Sequence, residues 1–78
     1  MDFVTPMPKV RTDWRPLAAT RHRLGLSQRE LALAVGVHKY TIYRIEKGRS
    51  CPSVDLALGI ARALGVPLHH LFTVSEVS

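Results

Sequence analysis

From residue 13 onward, apolar residues recur three and four positions apart in short bursts, and each of four bursts closes near a glycine (Gly25, Gly36, Gly48, Gly65). Ser27 and Glu30 have capping-box spacing: the serine hydroxyl accepts from the N–H of Glu30, and the glutamate reaches back to the N–H of Ser27. Leu31, Ala32 and Val35 then share one helical face until Gly36, where a left-handed residue is easiest for glycine. Val37 re-enters the core, and His38 to Lys47 forms the next helix, stopped by Gly48. Upstream, a helix is predicted from an N-cap at Asp13, with Pro16 harmless in its first turn. Leu17 and Leu24 are its core residues, with Thr20 and Arg21 alongside and Gly25 at its end. Downstream, Ser53 caps a helix running to about Leu64, with Asp55 favouring the dipole in its first turn. Pro67 opens a short fifth helix through Leu68, Leu71 and Phe72. The pattern predicts an all-α, compact five-helix domain over residues 13–73 and a polar, frayed tail over 74–78.

Residues 1–12 do not read as helix, because Pro6 and Pro8 forbid one. They are expected to form an extended arm. Disorder, packing on the domain, lying on a partner subunit, and following a polyanion through Lys9 and Arg11 all stay open for it.

Composition narrows the function. The 78 residues suffice for one small domain, whose core is correspondingly small. The net charge is +5, and four of the eleven basic residues lie between Lys39 and Arg49, which points to a polyanionic partner. Cys51 is the sole cysteine, so no internal disulfide forms, and a cytoplasmic setting is expected. No apolar run approaches membrane-spanning length, and no signal-peptide core is visible at the N-terminus.

The charge cluster falls on one face of the 38–47 helix. Ile42 and Ile45 point to the core, whereas Tyr40, Tyr43, Arg44 and Lys47 point away, flanked by Lys39 and Thr41. Tyrosines interleaved with cations suit a surface that meets bases and phosphates. A solvated cationic face with one tyrosine at the core's edge is the plainer alternative.

Taken in order, R-x-x-L-G-L-S-Q-x-E-L-A (Arg21–Ala32), V-G-V, I-x-x-I-E-K-G (Ile42–Gly48), Pro52, A-x-A-L-G-V (Ala61–Val66) and the closing L-F resemble the lambda-repressor/Cro-like, or XRE-type, helix-turn-helix family. The resemblance covers about residues 15–72. It implies five helices, with the third entering the DNA major groove. It also implies roles at matching positions: Lys39, Tyr40 and Arg44 face base edges, while Thr41, Lys47 and Arg49 touch the backbone. Gln28 touches a phosphate and braces the recognition helix, and Arg21 pairs with Glu46 to fix where that helix sits. Tyr43 joins the base-reading set through thymine methyls or phosphates, and Arg44 suits guanine O6 and N7.

Several residues depart from the family pattern. His38 stands where Ser or Thr commonly caps the third helix; a weaker cap, capping by the imidazole, a phosphate contact and a plain surface histidine all stay open. Leu33, Ala34 and Leu56 are apolar where polar residues are usual. On the fourth helix the core stripe is expected to be Val54, Ala57, Leu58, Ala61 and Leu64. Leu56, Ile60 and Ala63, with Gly59 beside them, form a second stripe, expected to be a homodimer interface. Two recognition helices about 34 Å apart would then read a palindromic operator.

The leading expectation is a sequence-specific double-stranded-DNA-binding transcriptional regulator of repressor or controller type. The alternative is an antitoxin-like module that binds a small protein partner through Leu33, Leu56 or the arm and autoregulates by DNA binding. An enzyme is not expected: His22, His38, His69 and His70 lack metal-ligand spacing and a carboxylate cluster. Neither a cofactor nor a metal is expected.

Overall fold

Ser27 and Glu30 close the predicted box, with Glu30 N–H donating to Ser27 Oγ over 2.9 Å and Ser27 N–H donating to Glu30 Oε1 over 2.8 Å. In the computed structural model, which describes residues 9–77, this box opens the second of four helices. The elements are β1 (Lys9–Asp13), α1 (Arg15–Arg23), α2 (Gln28–Val35), α3 (Lys39–Glu46), α4 (Val54–Leu64), a 3-10 turn (Leu68–His70) and β2 (Thr73–Val77). Residues 1–8 and Ser78 lie outside the described residues, and with them most of the arm, including Phe3, Val4 and Met7.

Gly36 turns α2 into α3. Its φ of 76° lets the N–H groups of Gly36 and Val37 return to Leu33 and Ala32, which satisfies the last carbonyls of α2. Leu31 and Ala32 are buried against Ile42 and Ile45 of α3, with Leu17 of α1 and Leu71 beyond the 3-10 turn in the same cluster. At the start of α3, His38 Nδ1 accepts from Tyr40 N–H at 3.1 Å, so the imidazole takes the capping place that serine or threonine commonly fills.

The five-helix, all-α expectation is corrected. The fold is mostly helical, but the predicted fifth helix is a single 3-10 turn, and the residues after it join an antiparallel two-stranded sheet. The expected frayed tail is β2, paired with β1 in the register Lys9↔Val77, Arg11↔Ser75 and Asp13↔Thr73. Pro67 permits a turn to start, yet only a few residues separate it from Thr73, too few for an α-helix. Thr73, Val74 and Val77 are β-branched, and they fit a pleated strand better than a helical turn.

Asp13 does not cap α1 through its own backbone position, because it is the last residue of β1. Trp14 holds the N-cap position, and the Asp13 carboxylate accepts from Arg15 N–H at 3.0 Å. Leu24 is exposed rather than core, because α1 ends at Arg23. Trp14 is buried in its place, its ring 4.8 Å from that of Phe72 and its Nε1 donating to Thr12 Oγ1 at 3.0 Å.

The buried face of α4 also differs from the expected one. Ala57, Ile60, Ala61 and Leu64 face the core, an i, i+3, i+4, i+7 set. Val54 and Leu58, expected in the core, are 73% and 46% exposed, whereas Ile60, expected at a dimer interface, is 0% exposed. Leu56 packs on the core's margin, and Gly59 faces α2, where a Cβ would stand 3.9 Å from Val35 Cγ1. Of the expected interface stripe, Ile60 is buried, Leu56 and Gly59 are half-buried and Ala63 is exposed.

Candidate nucleic-acid interface

The placement of α3 is set from beneath by a buried polar network. Arg21 Nε donates to Glu46 Oε2 at 2.7 Å and Arg21 Nη2 to Glu46 Oε1 at 2.9 Å, a bidentate pair with side chains only 7% and 5% exposed. Arg21 Nη1 donates to the Leu26 carbonyl at 2.8 Å, and Gln28 Nε2 donates to Glu46 Oε1 at 2.9 Å. No buried side-chain nitrogen or oxygen among the described residues lacks a hydrogen-bond partner. The network joins α1, the α1–α2 turn, the first residue of α2 and the last of α3, so it determines how far and at what angle α3 stands out. The contribution of the Leu26 carbonyl had no signal in the sequence, because it depends on the path of the turn after Gly25.

The outer face of α3 is an aromatic and cationic ladder. Tyr40 and Tyr43 stack with centroids 5.7 Å apart and planes 17° from parallel. The Arg44 guanidinium lies 5.9 Å from the Tyr40 centroid. Lys47 Nζ and the Arg49 guanidinium each lie 5.8 Å from the Tyr43 centroid. These are the outer limit of cation–π range, so each contact guides a side chain more than it anchors it. Tyr40 is exposed and Tyr43 half-buried, so Tyr43 also serves the core's edge.

Gln28, His38, Lys39, Tyr40, Tyr43 and Arg49 line one open hollow of about 590 Å³. Six of the sequence-derived site residues thus converge, with Arg44 and Lys47 attached to them through the tyrosines. Thr41 is half-buried on the flank of α3. Because His38 Nδ1 accepts the capping bond, the neutral ring carries its proton on Nε2, which leaves a donor for an anion. A protruding helix with guanidinium, ammonium, phenol and amide donors is suited to phosphates and to base edges. Among the described residues no group of three or more His, Cys, Asp or Glu could hold a metal ion.

Two consecutive helices joined by a tight turn, with a cationic second helix braced from below, define a helix-turn-helix domain. A helix-turn-helix family model matches residues 17–71. An HTH-type transcriptional regulator of uncharacterised role from Methanothermobacter thermautotrophicus is 60% identical over 45 residues, spanning 58% of this chain and 65% of that relative. The restriction-modification controller protein C.AhdI from Aeromonas hydrophila superposes with a TM-score of 0.71 at 31% identity, covering 74% of this chain and 88% of its own. PlcR from Bacillus thuringiensis, solved with the peptide PapR7 and DNA, superposes with a TM-score of 0.67 at 31% identity, covering 76% of this chain and 21% of its own. The chain belongs to the XRE-type, lambda-repressor/Cro-like helix-turn-helix family, a family of DNA-binding transcriptional regulators.

Proposed function

We propose that this protein is a sequence-specific regulator of transcription, of repressor or controller type, that reads a palindromic DNA operator as a homodimer. The observation that carries this reading is the α3 face, where Lys39, Tyr40, Tyr43 and Arg44 project together above the Arg21–Glu46–Gln28 brace. Lys39, Tyr40, Tyr43 and Arg44 read base edges. Gln28, His38, Thr41, Lys47 and Arg49 grip phosphates and set register. Gln28 can do both jobs, because its Nε2 donates to Glu46 while its amide remains at the rim of the hollow.

The protein acts by occupancy and needs no catalytic step or cofactor. Among the described residues no helix is long and apolar enough to cross a membrane. Pairing of two copies uses the exposed Val54–Leu58 row of α4 in place of Ile60, which the fold buries.

Selection of bound sites from random duplexes tests this directly. The expected product is a palindrome whose half-sites lie about one helical turn, or 34 Å, apart. Enrichment of a single unrepeated site would exclude the two-fold arrangement, and no enrichment would exclude sequence-specific reading.

A further inference from the structure

A second cationic groove lies outside the helix-turn-helix, between the sheet and the C-terminal end of α3. It has a volume of about 580 Å³, and Arg11, Arg15, Ser75, Lys47 and Gly48 contribute to its walls, together with Asp13 and Glu46. Its carboxylates are already committed. Asp13 accepts from Arg15 through both oxygens at 2.6–3.0 Å, and Glu46 is held by Arg21 and Gln28. Arg11 and Lys47 have no ion-pair partner among the described residues, so the groove carries two uncompensated positive charges. Ser75 sits directly opposite Arg11 in the register, and paired residues of an antiparallel ladder share a face, so both side chains line the groove from the same side of the sheet.

Lys47 also stands over Tyr43, so the groove is continuous with the outer face of α3. The C-terminal end of a helix is partly negative. Here the carbonyls of Tyr43, Arg44 and Ile45 accept from the N–H groups of Lys47, Arg49 and Gly48, and the Lys47 charge offsets the remainder.

We infer that this groove is a second DNA-backbone site, in which Arg11 of β1, with Ser75 and Lys47, binds a phosphodiester beside the segment that α3 reads. The inference rests on the DNA-binding reading above. It gives the sheet a role: β2 holds β1 in register, and β1 presents a guanidinium that a loose arm would hold only at an entropic cost. An arginine fork matches two phosphate oxygens, and the serine hydroxyl supplies a further donor.

Equilibrium binding to a random-sequence duplex across a range of salt concentrations provides the test. Each neutralised phosphate contributes about 0.9 to the slope of log affinity against log salt. Arg11→Ala and Arg49→Ala are each expected to lower that slope by about 0.9, and Arg11→Lys is expected to keep it. A slope lowered by Arg49→Ala but not by Arg11→Ala overturns the second site and leaves the DNA reading intact. Equal loss in Arg11→Ala and Arg11→Lys overturns it too, because the charge is then not the cause. Binding of inorganic phosphate in the groove, with an unchanged duplex slope in Arg11→Ala, overturns its assignment to DNA. Failure of the unaltered chain to bind any duplex overturns both readings.

Discussion

Arg21 and Glu46 show how one pair of side chains fixes the geometry of a reading surface. Removing one partner leaves the other charged and buried, so Arg21→Met is expected to cost about 3–5 kcal/mol in urea-unfolding experiments. Combining Arg21→Met with Glu46→Leu is expected to recover most of that loss, because both charges leave together. A double variant as unstable as the single one would mean that the pair is not the source of the cost. Glu30 acts differently. The Ser27 backbone N–H donates to its exposed carboxylate and holds its pKa below the usual glutamate value. A depressed folded pKa stabilises above the unfolded pKa, and the benefit is lost as pH falls through the folded value. Wild type should therefore melt above Glu30→Gln at neutral pH, with the gap closing from roughly pH 5 downward. A gap independent of pH would show that the hydrogen-bond geometry matters and the charge does not. Residue roles set by local spacing, such as this box, were legible in the sequence. The Arg21–Glu46 pair was legible only through the family resemblance, since 25 positions separate the partners.

Among the elements, α2 and α3 were readable because their starts and stops are local: a capping box, two glycines and a clear apolar face. The bounds of α4, set by Ser53 and Gly65, were equally local, but its buried face was not readable, because Val54, Leu56, Ala57, Leu58, Ile60, Ala61, Ala63 and Leu64 run nearly around the helix, and periodicity alone does not choose a face. Packing against α2, where Gly59 meets Val35, chooses it. Ile60→Ala should therefore cost about 2–5 kcal/mol, as for a buried large-to-small change. Leu58→Ala should stay within about 0.5 kcal/mol in the monomer, as for a surface position. The reverse order in thermal or urea unfolding would restore the original face. The sheet was hidden for another reason. Its strands are short and lie at opposite ends of the described chain, so each alone looks like a tail. The alternation of Val10 and Thr12 with the charged Lys9, Arg11 and Asp13 was the available signal.

At the scale of the whole molecule, a small helical body presents one braced, cationic helix, and a two-stranded ribbon extends the same charge. The proposed dimer buries the Val54–Leu58 row, so Leu58→Arg should shift the light-scattering mass from dimer to monomer without unfolding the chain. An unchanged dimer would place the interface elsewhere. Division of labour on α3 is the central claim: Arg44 reads a base, whereas Arg49 holds the backbone. Affinities of Arg44→Ala and Arg49→Ala for a selected site and for random DNA test it most directly. The expected result is that Arg44→Ala loses about 1–3 kcal/mol of discrimination between the two, while Arg49→Ala weakens both about equally. Equal effects of both substitutions on selected and random DNA would contradict the assignment of base reading to this helix face.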